Sequence, residues 1–427
     1  MKIEMRVRYI CCLLFMLLCC MGMAQSVYSN RLLGKNMRSL QVILEGDTMG
    51  NPVIHQGTDD KVDVSFDEMS HRPHSYSYRI KHCEADWKLS KGINEIDFLK
   101  GFQENKIESY YQSINTTFEY THYYFQIPND NVELLLSGNY IAEIFDSDNP
   151  DSIVATACFS VSEDLATAEG SVSSKTEYGV NNQYQQLGFS IDGSQLQVTD
   201  PSEQIKLVVF QNGRKDNMVT GLKPTYTQGS KLIYENNNRL IFEGGTEFPR
   251  IDFSHIHYFS GQISHITFAH PYYHVEVNPG EDISHHDYQF DNDVDGRYKV
   301  HGQDVWSEKE IDYSIVHFSF KASDPWLDGS LYVAGYFNDN YLDKNNKMTY
   351  NFDTHQYELV LVLKNGGYNY QYLFVPSGQT KATTSRAMGN HWQTENEYDI
   401  YIYYRPFGSQ YDRLVGVTTL KSGGSGN

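Results

Sequence analysis

The chain has 427 residues, with 34 basic and 54 acidic side chains and a net charge of −20. A surface this acidic repels nucleic-acid phosphates and anionic lipid headgroups, which argues against nucleic-acid binding and against electrostatic docking on a membrane. Aromatic residues make up 14% of the chain and include 33 Tyr, a composition that favours β structure. A length of about 400 residues exceeds what one hydrophobic core supports, so two or three domains are predicted.

The first 24 residues have the order of a cleaved signal peptide. Lys2, Arg6 and Arg8 precede an apolar stretch at 10–21, and small residues follow it at 22–24. The apolar stretch is shorter than the ~20 residues that a membrane-spanning helix needs. The sequence therefore predicts export, with residues 1–24 removed and no direct membrane insertion.

Two cysteines, Cys83 and Cys158, lie downstream of this segment. In an oxidising compartment they can form one disulfide, and the alternative is two buried free thiols. No Cys-x-x-Cys pair is present in the sequence, so a zinc ribbon or a thioredoxin-like redox centre is not predicted.

Apolar and polar residues alternate in many short runs that are bounded by Gly, Asn, Asp or Ser, which is the pattern of half-buried strands. No helix of three turns is predicted. This pattern predicts an all-β protein of tandem immunoglobulin-like β-sandwich domains. The runs lie at residues 62–66, 76–80, 187–191, 205–209, 331–333, 359–363 and 400–404.

Two polar stretches without alternation, at 162–181 and 278–303, indicate where domains meet. The predicted division is an N-terminal sandwich at 25–163, a middle sandwich at 164–297 and a C-terminal sandwich at 298–420. The modules then have ordinary domain sizes. Residues 421–427, rich in Gly and Ser, are predicted to form a disordered tail.

Asp291, Asp293 and Asp295, followed by Gly296, match the beginning of a calcium-binding loop. The match ends there, because Gly302 occupies the position of the bidentate Glu. Two hypotheses remain, a turn with solvated carboxylates and a weak calcium site, and the second would suit a calcium-dependent adhesin.

Histidines cluster in the middle of the chain, and two of them, His255 and His257, are two residues apart in a predicted strand. They would face the same side of a sheet, where imidazoles can bind zinc or copper. The competing interpretation is a set of scattered surface histidines. The others of the cluster are His265, His270 and His274.

No catalytic order of Ser, His and Asp, no nucleophile elbow and no phosphate-binding loop is found in the sequence. Gly244 and Gly245 are interpreted as a tight turn. The chain is therefore predicted not to be an enzyme and to need no cofactor.

Residues 331–338, 348–350, 357–358 and 368–372 resemble early-set immunoglobulin-like modules that precede starch- and glycogen-active enzymes. Trp326 and Trp392 could then stack on sugar rings. The same aromatic residues serve equally well as strand and core positions of a sandwich. A periplasmic or surface carbohydrate-binding protein is thus the principal alternative function.

Nine segments, spread in order over nearly the whole chain, together resemble the type IX secretion plug family of Bacteroidota. Their motif residues are His82, Cys83, Asp86, Trp87, Gly244, Gly245, Glu247, Glu395, Asn396, Tyr398, Arg405, Asp412 and Arg413. The segments are 80–87, 98–102, 121–123, 137–140, 210–214, 242–248, 393–398, 403–406 and 411–416. Thr246 and Pro249 depart from the family pattern and put only the local turn in doubt.

These motif residues are expected to be mainly structural. Trp87 suits a sandwich core beside the strand that carries Cys83. Arg405 and Arg413 flank a Tyr-rich strand pair, and they are expected to stack on rings or to pair with Glu395 or Glu397, which are not adjacent to them in sequence.

The resemblance implies a non-enzymatic subunit on the periplasmic face of the outer membrane. Its partner would be a very large outer-membrane β-barrel that passes folded cargo, and the subunit would occlude the inner mouth of that barrel in the absence of cargo. The module that contacts the barrel is not indicated by the motifs.

Overall fold

The computed structural model describes residues 27–303 and 305–423, so the predicted signal peptide and residues 424–427 of the predicted tail lie outside the described residues. Strands dominate it, and each run of alternating residues predicted above lies within a strand. Among the described residues the two α-helices are single turns, α1 (Glu95–Phe98) and α2 (Pro201–Gln204). The all-β prediction is confirmed.

The first module consists of two facing sheets with a shared core. One sheet has the order β1-β12-β11-β5-β7 with β3 beside β12, and the other has the order β2-β4-β9-β8. Phe66 and Tyr123 stack at 5.2 Å in the core between them. The strands are β1 (Arg31–Leu32), β2 (Met37–Leu44), β3 (Val53–His55), β4 (Val62–Glu68), β5 (Tyr76–Cys83), β6 (Leu99–Gly101), β7 (Glu104–Lys106), β8 (Tyr110–Gln112), β9 (Thr121–Ile127), β10 (Val132–Leu134), β11 (Gly138–Asp146) and β12 (Asn149–Ser162).

The middle module contains strands from two distant parts of the chain. One sheet has the order β13-β16-β20-β19 with β21 beside β16, and the other has the order β18-β17-β32-β33. The strands are β13 (Ala168–Ser173), β14 (Lys175–Thr176), β15 (Gly179–Val180), β16 (Tyr184–Asp192), β17 (Ile205–Gln211), β18 (Val219–Thr220), β19 (Tyr226–Gln228), β20 (Lys231–Tyr234), β21 (Ile241–Glu243), β32 (Glu397–Tyr404) and β33 (Arg413–Lys421). A 3-10 helix, Asn238–Leu240, precedes β21.

The third module lies between these two parts of the middle module in sequence. Its largest sheet has the order β23-β24-β26-β29-β28, and the smaller ones are β22-β30-β25 and β27-β31. The strands are β22 (Arg250–Asp252), β23 (Ile263–Ala269), β24 (Tyr272–Val277), β25 (Tyr298–Val300), β26 (Tyr313–Lys321), β27 (Gly329–Ala334), β28 (Thr349–Asn351), β29 (Gln356–Lys364), β30 (Gly366–Asn369) and β31 (Gln371–Pro376). Two 3-10 helices, Glu308–Glu310 and Tyr336–Asn338, lie in its loops.

The final hairpin completes the middle core. β32 pairs antiparallel with β17 along its whole length, from Ile205 opposite Tyr404 to Gln211 opposite Tyr398. The apolar side chains of β32 are therefore buried together with those of β16 and β17. The linear division at residues 163, 297 and 420 stays a prediction. The packing adds that residues 397–421 share a core with residues 166–242, and that residues 251–277 share a core with the third module.

Candidate functional site

Many of the motif residues, although scattered in sequence, lie where modules contact each other. Three such contacts are described below. We call them the Asp412 junction (first and middle modules), the Asn396 junction (middle and third modules) and the Asp67 junction (first and third modules).

Asp412, at the beginning of the last strand, is the centre of the Asp412 junction and is buried. Both of its carboxylate oxygens accept hydrogen bonds from Lys206 Nζ at 2.8 Å, and Oδ2 also accepts the Ala85 backbone N–H at 3.1 Å. Its own N–H donates to Glu84 Oε2 at 2.9 Å. Burial opposes ionisation, but the hydrogen bonds from Lys206 and Ala85 outweigh it and hold the pKa of Asp412 below its ordinary value.

The two arginines of the last hairpin reach into the first module. Arg405 Nη1 lies 3.4 Å from Glu84 Oε2 and 3.3 Å from Asp412 Oδ1. Arg413 binds Glu163 with both Nε, at 2.8 Å, and Nη2. The predicted pairing of these arginines with Glu395 or Glu397 is wrong, because their carboxylate partners are Glu84 and Glu163 of the first module and Asp412.

The other part of that prediction is confirmed for one arginine. The Arg413 guanidinium lies 5.8 Å from the centre of the Tyr404 ring, within the range of a cation–π contact. Glu397, one of the expected partners, instead accepts from Arg297 Nη1 at 2.5 Å and from Lys421 Nζ at 2.7 Å. Arg297 belongs to the third module, so this ion pair also crosses a module boundary.

His82 is a buried structural residue of the same junction. Its Nε2 donates to the Ser137 carbonyl at 3.0 Å, and its Nδ1 lies 2.8 Å from the Ser90 hydroxyl. Burial lowers the pKa of His82 to about 4, so the ring is neutral at physiological pH. Gly138 lies against this ring with φ +131°, and a Cβ there would be 2.5 Å from His82 Nε2. Only glycine fits this position without a shift.

A tyrosine from the middle module reaches into the first module. Tyr403 donates through its hydroxyl to Asn139 Oδ1 at 2.9 Å. That oxygen also accepts from Ser160 at 2.9 Å, and the Asn139 amide donates to the Glu84 carbonyl at 3.0 Å. All the polar atoms named here are engaged, which is the condition under which a buried polar network stabilises a contact.

Asn396 is the centre of a buried amide network at the Asn396 junction. Its Nδ2 donates to Gln185 Oε1 at 3.0 Å and to the Gly244 carbonyl at 2.8 Å, while its Oδ1 accepts from Asn212 at 2.8 Å. Tyr398 also donates to Gln185 Oε1, at 2.6 Å. From the third module, Asn340 donates to the Asn212 carbonyl at 3.3 Å. One side chain thus connects three segments of the middle module beside the boundary.

The two glycines of the middle motif allow backbone segments to approach closely. A Cβ at Gly244 would be 2.1 Å from the His391 carbonyl oxygen, so no larger residue fits. Gly245 has φ +70°, and its N–H donates to Asn390 Oδ1 at 2.9 Å. Thr394 donates to the Gly245 carbonyl at 2.9 Å. In place of the predicted tight turn, residues 244–249 form an irregular segment between β21 and β22. This segment contacts the residues that precede β32.

Carboxylates accumulate next to this segment. Glu247 accepts from the Tyr288 hydroxyl and from the Glu395 N–H at 3.2 Å. Burial, with the nearby charges of Asp293 and Glu395, raises the pKa of Glu247 to about 7. Burial and the Asp293 charge likewise raise the pKa of Asp295 to about 8. The cluster therefore retains protons at pH values where free carboxylates are ionised.

The calcium hypothesis concerned part of this cluster. Asp293 accepts the backbone N–H groups of Phe248 and Asp295, and Asp291 accepts the Asn292 N–H at 2.8 Å. Within residues 27–303 and 305–423, no group of three or more His, Cys, Asp or Glu side chains converges to hold a metal ion. The carboxylates serve here as turn-forming acceptors, and calcium binding stays a prediction without structural support.

The raised carboxylate pKa values predict a pH-dependent loss of stability. Folding raises the pKa of such a carboxyl group above its unfolded value of about 4. The folded state therefore loses stability as the pH rises from the unfolded pKa to the folded pKa. Glu247→Gln keeps an oxygen that accepts from Tyr288 and Glu395 but removes the charge. We expect the variant to melt above the wild type at pH 8, with the difference vanishing near pH 4, in thermal unfolding measured across this range. The same change at the exposed Glu169 should shift the melting temperature little at any pH, and an unchanged pH profile for Glu247→Gln would contradict the prediction.

Asp67 is the centre of the Asp67 junction and is fully buried. It accepts from His122 Nδ1 at 2.5 Å within the first module and from Lys364 Nζ at 2.7 Å in the third module. The Tyr313 hydroxyl donates to it as well. Burial by itself raises the pKa of Asp67, but the Lys364 charge and the His122 hydrogen bond outweigh burial, and the pKa is lowered. Lys364 also lies 4.2 Å from the centre of the Tyr120 ring.

Cys83 and Cys158 are both free and buried. Cys83 lies on β5 and Cys158 on β12, with β11 between these strands, and Ile141 packs with both thiols. Two strand spacings are about 10 Å, beyond the Cα separation that a disulfide spans. Of the two alternatives left open by the sequence, the structure has the free thiols. Burial raises the pKa of Cys83 to about 12, so this thiol is unreactive. Trp87 packs half-buried against the same cluster.

The structure places the clustered histidines differently from the prediction. His255 and His257 lie in a bend, so their predicted strand is wrong. His274, on β24, has its Nδ1 2.8 Å from Nε2 of His317, which lies on the neighbouring strand β26. Sequence reasoning missed His317, because only the parallel pairing of β24 with β26 brings the two rings together.

Trp326 is not a free aromatic platform. It packs half-buried against Phe320, Tyr357 and Phe374, with ring centres 5.4–5.7 Å apart. The Arg386 guanidinium covers it at 4.7 Å. The geometry therefore gives the carbohydrate-binding alternative no support.

These observations define a class: an all-β protein of three sandwich modules that are joined pairwise by buried charges and amides. The family described as type 9 secretion system plug protein 1st domain matches residues 37–163, which covers β2 to β12. The first module is therefore assigned to the first domain of the type IX secretion system plug family. Among the described residues, no helix has the length and apolar character needed to cross a membrane.

The crystal structure of a hypothetical protein from Parabacteroides merdae ATCC 43184 is similar to almost the whole chain. Its TM-score is 0.90 with 39% sequence identity, over 93% of this chain and 100% of that one. Pseudomonas fluorescens alkylpurine DNA glycosylase AlkC bound to abasic-site DNA matches 30% of this chain and 31% of its own, with 10% identity and a TM-score of 0.16, which indicates no shared fold. No curated protein matches the chain.

Proposed function

We propose that this protein is the plug subunit of a type IX secretion translocon and that it occludes the inner, periplasmic mouth of a large outer-membrane β-barrel when no cargo is present. The chain acts without catalysis in this role. The match of the first module to the plug family supports the assignment to type IX secretion. The position at the barrel mouth is our own inference.

The single observation that carries the proposal is the pairwise joining of all three modules. Arg413 and Glu163 join the middle module to the first, Arg297 and Glu397 join the third to the middle, and Lys364 and Asp67 join the third to the first. Three bodies that are each held to the other two cannot hinge about a single linker. A seal across a wide opening needs this stiffness, because a flexible chain of domains would leave gaps.

The surface charge favours reversible binding to the barrel. A net charge of −20 opposes insertion of the protein into lipid. It also favours binding to a barrel mouth that is lined by basic residues. Attraction between exposed charges speeds association more than it tightens the complex, so the plug can still be displaced by cargo.

The proposal predicts that the outer membrane becomes permeable when the protein is absent and the barrel is present. In a type IX strain, deletion of the gene with the barrel retained should sensitise cells to vancomycin, which is too large for ordinary porins, and plasmid-borne wild-type protein should restore resistance. A strain that lacks both plug and barrel controls for the route of entry and should regain resistance. Unchanged vancomycin susceptibility in the single deletion, with the barrel verified in the outer membrane, would refute the occluding role.

A further inference from the structure

One long sheet edge is unprotected. β23 is the outermost strand of the largest sheet of the third module, and it pairs only with β24 among the described strands. Its residues, Ile-Ser-His-Ile-Thr-Phe-Ala, include no Lys, Pro, Asp or Glu. Natural proteins usually blunt such edges with charges, proline or a covering segment, because a free row of N–H and C=O groups recruits other strands.

The two edge strands in the described part of the chain that are longer than β23, namely β33 and β2, are partly covered. The backbone N–H groups of Leu165 and Ala166 both donate to the Val415 carbonyl on β33. On β2, the Tyr298 hydroxyl donates to the Leu40 carbonyl at 3.4 Å. By contrast, five of the seven residues of β23 are exposed, and Phe268 keeps 54% of its surface in solvent.

The exposed edge is held in place and is not a loose ribbon. Tyr272, at the hairpin tip, stacks on Phe118 of the first module at 4.0 Å. His274 on the paired strand contacts His317, as described above. The register with β24 is shifted only between Ile263 and His265, so the part from His265 to Ala269 is regular. A strand that is already extended and anchored loses little entropy when another strand pairs with it.

We propose that the free edge of β23 is a docking strand that binds an extended segment of the translocon barrel by β-strand addition. Main-chain hydrogen bonds along residues 265–269 would supply the affinity, and a β-branched or aromatic side chain of the partner would pack beside Phe268. The naming of the barrel as partner rests on the proposed function. The segment should be neutral or basic, because β23 is uncharged and the chain as a whole carries a net charge of −20.

A second copy of this chain is the competing occupant. Two copies would each bring a net charge of −20 to an edge-to-edge contact, and their repulsion opposes self-pairing. The barrel segment is therefore the occupant that the charges favour.

The test uses matched lysine substitutions in the full-length tagged protein. Thr267→Lys places a charge on the exposed β23 edge, and Thr227→Lys makes the same change on the exposed three-residue strand β19 of the middle module. Circular dichroism and thermal melting verify that both variants fold. We expect Thr267→Lys to retain on the order of tenfold less barrel, identified by mass, in outer-membrane extracts, since one poorly matched charge at a strand edge suffices to block pairing. Thr227→Lys should retain wild-type amounts.

A photo-crosslinking residue at position 268 identifies the occupant, with the exposed position 226 as the control. A crosslink from 268 to the barrel supports the proposal, and a crosslink to a second copy overturns it. Equal barrel retention by wild type and Thr267→Lys overturns the docking edge while leaving the plug role intact. Absence of the barrel from the wild-type eluate contradicts the plug role itself, and with it the named partner.

Discussion

Lys364→Met should lower the free energy of unfolding by about 3–5 kcal/mol at pH 7, because it leaves the fully buried Asp67 carboxylate without its cation. Methionine preserves most of the apolar stem, so the loss reports on the charge and less on packing. Of the side-chain partners of Asp67 described above, His122 and the Tyr313 hydroxyl would remain. Urea unfolding followed by tyrosine fluorescence measures the change.

An exposed ion pair provides the matched control. Lys100 Nζ lies 2.6 Å from Glu133 Oε2, with side chains that are 70% and 58% exposed. Exposed pairs contribute less than about 1 kcal/mol, so Lys100→Met should be nearly neutral. Equal effects of Lys364→Met and Lys100→Met would show that the Asp67 junction does not hold the modules together.

The Lys364→Met effect should also depend on pH in a defined direction. The pKa of Asp67 is lowered by folding, so its ionised form contributes stability above the unfolded pKa of about 4, and this contribution is lost as pH falls through the folded value. Once Asp67 is protonated it no longer requires the ammonium group. The difference between wild type and variant should therefore shrink in acid, and a difference that grows there would contradict this account.

Asp412→Ala should weaken the contact between the first and middle modules. The change removes the acceptor of the Ala85 N–H and of Lys206, and it leaves Glu84 as the remaining carboxylate beside Arg405. The two cations are partly exposed and can be solvated, so we expect a loss of about 2–4 kcal/mol, which is smaller than a fully buried charge would give. Calorimetry should show two thermal transitions where the wild type shows one.

Asp86 supplies the control for this prediction, since it lies in the turn that contacts Asp412 but is itself exposed. Its carboxylate binds only the neighbouring Lys88 at 2.6 Å among the contacts described here. Asp86→Ala should keep a single transition and nearly wild-type stability. Limited proteolysis at residues 163–168, between the first two modules, gives a second readout, and cleavage should accelerate only in Asp412→Ala. A single transition with slow cleavage in that variant would contradict the role assigned to the Asp412 junction.

Strands could be predicted from the sequence with little error, because alternation along a strand depends only on which residues face the core. The partners of Arg405 and Arg413 could not be predicted. The pairs Glu84–Arg405 and Glu163–Arg413 join residues about 250 or more positions apart, and no local periodicity encodes such a contact. His255 and His257 show the opposite error, since their spacing of two occurs in a bend as readily as in a strand.

The sequence by itself determined the strand content, the acidic surface and the resemblance to the plug family, because composition, alternation and short motifs are properties of neighbouring residues. Only the tertiary structure decided that β32 and β33 return to the middle core, that the cysteines stay apart and that many of the motif residues lie at module boundaries. These outcomes depend on burial and on pairing between distant strands. The free energy of these contacts is gained only when distant parts of the chain come together in the fold. No local sequence pattern therefore predicts them.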